Sequence, residues 1–395
     1  MKNSQNRPVR IVAFIIERQK RPFGASFNRL LLGMAFASCI AVSAGRITFA
    51  SVKDLYIFSG THFDLTFTGP PPYSFARNHK ILDAALILAE QQQDFRYVIE
   101  NLYLFQQYLD THPEKLSAYA ELTKPRITFL VVLTAAAGFC MGSASGIDYS
   151  RLLNMSIGIA LLSSGLAAIN QYIERDLDRL MRRTQARPLP TGKLSASEAI
   201  AFGVLLSAVA TAYLAVFINS LSALLGVATF ASYLFVYTPL KTKTTLSTVL
   251  GAFPGAMPPF IGWAAASGEI TVEAWILFAI LFLWQFPHFL AIAWMYRDDY
   301  ARAGIKMLPV VEPDGRVTGQ QIISYTLLLI PVSLLPAVIG LAGSIYLVGA
   351  AALGLGFLFF SARAALVRTT WQARQLLLAS VIYLPILFGL MVLNR

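Results

Sequence analysis

Three oxygen-bearing side chains follow one another at intervals of four residues between Asn170 and Asp178. On a helix, Asn170, Glu174 and Asp178 fall at about 0, 40 and 80° and share one face, whereas Asp176 falls at about 240°. A row of oxygen ligands suits a hard divalent cation, and Mg²⁺ typically links one or two carboxylates to substrate phosphates. The spacing therefore predicts a magnesium site formed by Asn170, Glu174 and Asp178.

The loop after this segment is basic. Arg183 and Arg187 lie within nine residues of Asp178 and are suited to bind phosphate oxygens that a metal leaves unpaired. The alternative is a solvated helix end with i,i+4 ion pairs. These residues end an apolar segment, and ionisable groups at membrane helices usually mark a functional site, which favours the first interpretation.

A second polar cluster ends another apolar segment further along the chain. It contains Arg297, Asp298 and Asp299, and a third basic point, Lys241, lies between the two clusters in sequence. Lys241 is equally consistent with a lysine that snorkels from a helix end. Both clusters are predicted at the same membrane face, so they can hold a cation and a diphosphate between them.

The composition identifies the elements that must position these residues. Of the 395 residues, 56% are hydrophobic and only 13% are charged, which excludes an ordinary soluble protein. Segments of about 20 apolar residues are long enough to cross a membrane as helices. The chain is therefore predicted to be an all-α, polytopic bundle of about nine helices, near residues 127–145, 152–173, 196–217, 220–238, 246–266, 272–295, 322–341, 344–362 and 373–392.

The net charge of +11 reflects membrane orientation rather than nucleic-acid binding, because most Lys and Arg lie in short loops between apolar segments. The loops after the second, fourth, sixth and eighth segments are basic, which places them on the cytoplasmic side. Only Cys39 and Cys140 occur, with no CxxC or Cys/His spacing, so disulfide and zinc frameworks receive little support.

Residues 1–114 differ from the rest and are predicted to be an extension, followed by the membrane domain over 115–395. The first 52 residues contain eight basic residues and one acid, Glu17. A targeting segment, a tenth span and an incorrectly assigned start are all compatible with this pattern. Residues 80–110 have the pattern of an amphipathic helix.

At the polar clusters the sequence resembles the UbiA superfamily of intramembrane prenyltransferases, whose first motif reads Asn-x3-Asp-x3-Asp followed by Arg-Pro-Leu. Within it, the chain is most similar to the heme-farnesylating branch. The resemblance covers roughly residues 115–395 and rests on five segments in order, Leu122 to Arg126, Asn170 to Asp178, Tyr237 to Lys241, Pro287 to Phe289 and Asp299 to Pro309.

Three departures from the family pattern stand out. Glu174 replaces the usual Asp, which keeps the ligand type but moves it by one methylene. Tyr296 and Tyr300 stand where quinone-type relatives carry a second Asp-x3-Asp, which leaves Asp299 as the main ligand expected on that side. Lys306 stands where Pro is expected, and no function follows from it.

The resemblance implies that farnesyl diphosphate donates its chain to a vinyl group of heme b, with Mg²⁺ as cofactor, to give heme O for terminal-oxidase assembly. Asn170, Glu174, Asp178 and Asp299 would hold the metal diphosphate, with Arg183, Arg187, Lys241 and Arg297 as phosphate contacts. It further implies a multi-pass protein of a bacterial inner membrane, with the site facing the cytoplasm and possible contacts with heme A synthase or oxidase assembly proteins.

His288 is the only histidine inside a predicted span, and it is a candidate axial ligand of heme. A hydrogen-bonded role inside the bundle is the alternative. An unbroken helix would place His288 and Asp299 on one face, although Pro287 can kink it.

Three other functions are compatible with parts of the pattern. A prenyltransferase acting on a quinone precursor or a chlorophyll-type ring would use the same scaffold. A cation-coupled secondary transporter would use the acids as ion sites, but usually near the membrane midplane on broken helices. A protein that holds heme without chemistry would not need two facing acidic clusters.

Overall fold

The computed structural model describes residues 113–144 and 146–395. The features predicted before residue 113, including the amphipathic helix over 80–110, Cys39, His62, His79 and His112, lie outside the described residues. The boundary between residues 114 and 115 stays a prediction. The described helices are α1 Pro113–Leu122, α2 Pro125–Gly142, α3 Tyr149–Leu180, α4 Ala196–Phe217, α5 Ser220–Ala231, a π-helix Ser232–Tyr237, α6 Thr238–Leu240, α7 Ser247–Ser267, α8 Val272–Met295, α9 Arg297–Arg302, α10 Leu308–Val311, α11 Arg316–Val338, α12 Ser344–Val367 and α13 Thr370–Leu393.

Nine helical segments of the described residues are long and apolar enough to cross a membrane. The first, Glu114–Gly142, combines α1 and α2, and the fourth, Ser220–Leu240, combines α5, the π-helix and α6. The other seven are single helices, α3, α4, α7, α8, α11, α12 and α13. The prediction of an all-α, multi-pass membrane protein is confirmed.

The spans close into a ring. Each span packs on the next along the chain, and α13 packs on both α12 and α2, so the last span meets the first. Two further pairs, α2 with α7 and α8 with α13, cross-brace the ring. Large apolar side chains such as Phe235 and Val216 remain exposed on the bundle, as expected where lipid replaces water.

Small residues allow α2 and α7 to approach closely. A Cβ atom on Gly262 would overlap the carbonyl of Ala135, and one on Gly138 would overlap the backbone of Pro259. Helices in membranes commonly pack through such small residues, because lipid supplies little hydrophobic drive for association. This contact with α7 supports α2, the helix that begins directly after Lys124.

Two local features shape the end of the bundle that carries the polar clusters. After α3 the chain turns back through a loop to α4, whose first turn is closed by a capping box between Ser195 and Glu198. The fourth span loses regular α-geometry over Ser232–Tyr237, where the backbone N–H of Thr238 bonds the carbonyl of Tyr233, five residues earlier. Such π-turns are frequent at functional sites.

Candidate active site

The last turns of α3 present three polar side chains toward the interior of the bundle. Asn170, Glu174 and Asp178 are all buried, and only 1% of Asp178 is exposed. Asp176 points away, with 70% of its side chain exposed. The shared face expected from the four-residue spacing is therefore present.

Glu174 lies at the centre of a buried hydrogen-bond network. The Asn170 amide donates to Glu174 Oε2 at 2.8 Å, and Lys241 Nζ donates to Glu174 Oε1 at 2.5 Å. The Thr238 hydroxyl shares its hydrogen between the Tyr233 carbonyl, at 2.9 Å, and Asn170 Oδ1, at 3.1 Å, and so places a donor beside the amide. The π-helix thus brings Thr238 and Lys241 to the first polar cluster.

Lys241 carries a stabilised charge. Burial alone would lower the pKa of Lys241, but the neighbouring Tyr237 and the Glu174 carboxylate outweigh burial and raise the pKa well above its usual range. The ammonium lies 4.4 Å from the centre of the Tyr237 ring and 5.9 Å from that of Tyr233. The face of an aromatic ring attracts a cation that lies above it, so both contacts stabilise the charged ammonium.

Asp178 forms a buried ion pair with Arg187. One guanidinium nitrogen of Arg187 donates to both Asp178 oxygens, at 2.8 and 2.7 Å. The Thr184 hydroxyl donates to the Asp178 carbonyl at 2.9 Å, which ties the loop to the end of α3. The two buried carboxylates of α3, Glu174 and Asp178, are therefore each neutralised by a long basic side chain.

Asp299 on α9 joins the same end of the bundle through the loop that follows α3. Its carboxylate accepts the backbone N–H groups of Arg182 and Arg183, at 3.3 and 3.1 Å, and also pairs with Arg302. Arg302 Nε in turn donates to the carbonyl of Leu180 at 3.3 Å. Asp299 therefore contacts the basic loop that follows the first polar cluster, and Arg302 contacts the end of α3.

Arg183 is held between two tyrosines. Its guanidinium carbon lies 4.8 Å from the centre of the Tyr296 ring and 5.5 Å from that of Tyr300. It also donates to the Tyr300 hydroxyl at 3.1 Å. The two tyrosines that stand in place of the second Asp-x3-Asp motif therefore both contact Arg183.

Arg297 does not join this group. Its guanidinium lies 5.1 Å from the centre of the Trp294 ring and pairs with the exposed Asp298 at 3.8 Å. These contacts are typical of a side chain at the membrane interface. Four basic residues are predicted to bind phosphate. Arg297 is the one of them that has no contact with the buried carboxylates among the described residues.

Lys124 is a basic residue at the site that the motif analysis missed. It precedes α2 in the left-handed conformation, with φ 47° and ψ 60°, which non-glycine residues rarely adopt. Its ammonium lies within electrostatic range of both ion pairs, those of Glu174 with Lys241 and Asp178 with Arg187. The ammonium itself forms no ion pair or hydrogen bond with any residue that the structure describes. The sequence feature at this turn is the Lys-Pro step between α1 and α2.

His288 faces α13 rather than the carboxylates. Its Nδ1 lies 2.8 Å from Ser380 Oγ, and the Ser380 hydroxyl donates to the Leu377 carbonyl at 2.6 Å. Because a hydroxyl has one hydrogen, His288 Nδ1 must be the donor, which leaves a lone pair on Nε2. Trp284 stacks on the imidazole with 4.7 Å between ring centres.

The unbroken helix that would align His288 with Asp299 does not exist. Pro287 lies inside α8, which continues to Met295. The break comes at Tyr296, where φ −117° and ψ 24° leave the helical region before α9 begins. His288 and Asp299 therefore belong to different helices.

The donor set fits a cation that also binds substrate. No three His, Cys, Asp or Glu side chains converge on one point among the described residues. Two carboxylates one turn apart, with an amide beside them, match Mg²⁺, which usually takes one or two carboxylates and completes its shell with phosphate and water oxygens. Partly buried cations around these carboxylates suit an anionic ligand.

The nine spans found among the described residues, with paired acidic and basic side chains at one end, define an integral, multi-pass membrane protein. The model of the UbiA prenyltransferase family matches residues 131–390, and the chain belongs to that family. A curated relative from Solibacter usitatus, named protoheme IX farnesyltransferase, is 56% identical over 286 residues, which cover 70% of this chain and 98% of the relative. One of the same name from Koribacter versatilis is 47% identical, over 71% and 94% of the two chains.

Solved structures share the fold. A UbiA homologue from Aeropyrum pernix matches with a TM-score of 0.57 and 22% identity, over 68% of this chain and 97% of its own. A UbiA homologue from Archaeoglobus fulgidus bound to DMAPP and Mg²⁺ matches with a TM-score of 0.51 and 16% identity, over 70% and 99%. At this identity the likeness concerns the fold alone.

Proposed function

We propose that the chain transfers a farnesyl group from farnesyl diphosphate to a vinyl group of heme b and thereby forms heme O. The observation that carries this proposal is the pair of buried carboxylates on α3, each neutralised by a long basic side chain, at the end of an apolar ring of helices. The names of relatives between 39% and 56% identical support the choice of substrates.

We propose Mg²⁺ as the cofactor, held by Glu174 and Asp178 with Asn170 beside them. When bound, the metal would stabilise the negative charge that develops on the departing diphosphate. The Asn170 amide lies beside the Thr238 hydroxyl and already donates to Glu174, so this face needs little reorganisation. Asp299, the fourth metal ligand predicted from the sequence, has different contacts, namely two backbone N–H groups and Arg302.

The basic residues would exchange partners when substrate binds. Arg187 and Lys241 have long, rotatable side chains, so each can turn from its carboxylate to a diphosphate oxygen, which would leave Asp178 and Glu174 to hold the metal. Lys124 and Arg183 lie at the same end of the bundle and add positive charge there. Donors aimed at developing negative charge in a site poor in water usually contribute most to such a reaction.

The remaining steps involve the substrates. Cleavage of the allylic C–O bond releases the diphosphate and leaves an allylic cation, which the electron-rich vinyl group of heme attacks. Water then adds to the resulting cation and loses a proton, which gives a hydroxyethylfarnesyl group. No side-chain nucleophile is required, and the apolar spans would surround the farnesyl chain.

We propose that His288 contacts heme through Nε2. The hydrogen bond to Ser380 leaves this nitrogen with a free lone pair, as an axial iron ligand requires. Trp284 packs against the imidazole and donates to the Ser380 carbonyl at 2.9 Å, which limits rotation of the group.

We further propose that the site faces the cytoplasm of a bacterial inner membrane, because the basic loops that contain Arg187, Lys241 and Arg302 lie at that end. In this arrangement residues 1–114 form a separate extension. Heme A synthase and oxidase assembly proteins are proposed as partners that receive the product.

A UbiA-type enzyme acting on a quinone precursor is the second candidate. The contacts of Tyr296 and Tyr300 with Arg183 argue against it, because a second acidic motif is replaced here by a cation held between tyrosines. A cation-coupled transporter is disfavoured because both carboxylates of α3 lie near a helix end and are already paired with basic residues.

The deciding experiment incubates the purified protein with heme b, farnesyl diphosphate and Mg²⁺, with and without EDTA, and follows heme by mass spectrometry. A product with the mass of heme O that disappears with EDTA and returns with added Mg²⁺ supports the proposal. A product that forms without metal, or prenylation of 4-hydroxybenzoate but not of heme, would overturn it.

A further inference from the structure

We propose that Asp299 is a positioning residue that fixes the loop after α3, and with it Arg183, and that it does not bind the metal. This inference rests on the proposed function, because it assigns the work of the same diphosphate site. The sequence alone predicts that the second polar cluster supplies a metal ligand. The cluster instead holds Arg183 in place, so that the positive charge of Arg183 faces the substrate.

Both carboxylate oxygens of Asp299 are already engaged. Oδ1 accepts the N–H of Arg182 and pairs with Arg302, while Oδ2 accepts the N–H of Arg183. Asp299 is buried, so each broken hydrogen bond would have to be replaced inside the protein. A metal at Asp299 would need to displace backbone donors from it.

Backbone donors differ from the partners of the α3 carboxylates. Arg187 and Lys241 can release Asp178 and Glu174 by rotating their side chains. The N–H groups of residues 182 and 183 cannot turn away unless the loop itself moves. The carboxylates of α3 are therefore free to change partners, whereas Asp299 is committed to its present ones.

Arg302 completes this attachment. Its guanidinium pairs with Asp299 and donates to the Leu180 carbonyl, one of the last carbonyls of α3 that lack a helical partner. Asp299 and Arg302, termed here the α9 clasp, thus bind the end of α3 and the first loop residues together. The clasp connects the second and sixth spans at the site.

The clasp aims one particular side chain. The backbone of Arg183 is held by Asp299, and its guanidinium is held by Tyr296 and Tyr300, which lie one helical turn apart in sequence. The contacts fix both ends of Arg183 with residues from one short stretch of chain. Arg183 has no carboxylate partner among the described residues, so its charge is available to a diphosphate.

The test separates a metal ligand from a clasp with four variants. Asp299→Asn weakens the clasp at the carboxylate, and Arg302→Gln weakens it without removing a carboxylate. Asp298→Asn is the matched control, because Asp298 is adjacent but 88% exposed and pairs only with Arg297 among the described residues. Asp178→Asn is the comparison for loss of a metal ligand. All four are purified in detergent and compared by size-exclusion chromatography.

Two quantities are measured on each variant, the binding of Mn²⁺ in the presence of inorganic pyrophosphate and the KM for farnesyl diphosphate. We expect one Mn²⁺ per chain, with an affinity unchanged in the Asp299 and Arg302 variants and weakened at least about tenfold in Asp178→Asn. We expect both clasp variants to raise the KM for farnesyl diphosphate by about 10- to 100-fold, since small displacements of a binding group have effects of this size. Asp298→Asn should behave as wild type.

Two results would overturn the inference. One is a loss of Mn²⁺ affinity in Asp299→Asn equal to that in Asp178→Asn while Arg302→Gln binds the metal normally. The other is a normal KM in Arg302→Gln together with a raised KM in Asp299→Asn. If wild type makes no prenylated heme, the proposed function fails, but the Mn²⁺ and pyrophosphate measurements still distinguish ligand from clasp.

Discussion

The guanidinium of Arg187 holds both oxygens of Asp178 from a single nitrogen, at 2.8 and 2.7 Å, although the two residues are separated by the turn that ends α3. The Asp178 side chain is 1% exposed and that of Arg187 is 24% exposed. A buried carboxylate of this kind is strongly destabilising without a positive partner. Arg187 supplies that partner here, and Asp178 would be free to hold Mg²⁺ when Arg187 turns to the diphosphate.

Asp178→Asn is expected to reduce the turnover of farnesyl diphosphate at least about 100-fold, because the amide cannot hold a cation against a diphosphate. Asp176→Asn is the matched control, since Asp176 is two residues away and exposed. The measurement is heme O formation by mass spectrometry, with folding checked by chromatography. Near-normal turnover in Asp178→Asn would remove the first polar cluster from the mechanism.

Lys241→Gln is expected to lower turnover by about 100-fold. The ratio of wild-type to variant turnover should be the same at every pH between about 6 and 9. The pKa of Lys241 is raised, so the ammonium remains protonated throughout this range and its contribution would fade only above the usual lysine pKa. The pH profiles of variant and wild type should therefore run parallel. A ratio that falls toward one at alkaline pH would show that Lys241 deprotonates within the range.

Lys124 offers a test that separates backbone strain from charge. Lys124→Gly relieves the left-handed conformation and should unfold at an equal or higher temperature than wild type, whereas its KM for farnesyl diphosphate should rise about tenfold. Arg368→Gly is the control, because Arg368 is left-handed as well, with φ 54°, and lies beyond the eighth span. Unchanged kinetics in Lys124→Gly would exclude Lys124 from the diphosphate site.

His288→Ala is expected to change the Soret band of heme b bound to the protein, because an axial nitrogen ligand is lost. Ser380→Ala keeps the imidazole but removes the hydrogen bond that places the ring proton on Nδ1. We expect this change to weaken heme binding by about tenfold, as for other groups that orient a metal ligand. Absorbance titration with heme b measures both effects. An identical spectrum in wild type and His288→Ala would limit His288 to packing.

Gly262→Ala is expected to destabilise the protein by about 1–3 kcal/mol, since the added methyl group meets the Ala135 carbonyl in the contact between α2 and α7. Gly356→Ala is the control, because nothing lies within 4 Å of the corresponding Cβ position. It should be neutral or stabilise by about 0.5–1 kcal/mol through helix propensity. Thermal unfolding in detergent gives both values, and equal effects would contradict the close helix contact.

The sequence predicted the nine spans and the polar face of α3 because both depend on local pattern, namely apolar length and four-residue spacing. The partners of those residues were less accessible. Lys124 reaches the site through a left-handed turn, and the break at Tyr296 separates Asp299 from His288. Neither follows from hydropathy or spacing. The backbone donors on Asp299 are invisible to any search for charged or metal-binding motifs, because every residue except proline has a backbone N–H group.

The π-helix of the fourth span makes the length of this segment as important as its composition. One extra residue is accommodated between Ser232 and Tyr237, and this places Thr238 and Lys241 opposite Asn170 and Glu174. If the same residues adopted regular α-geometry, everything that follows would rotate by about 100°. Such a span would still be apolar and would still cross the bilayer, yet its lysine would face lipid or a neighbouring helix, and the buried Glu174 carboxylate would lose its ammonium partner. Deleting one residue from the π-helix should remove the bulge and leave Lys241 facing Glu174.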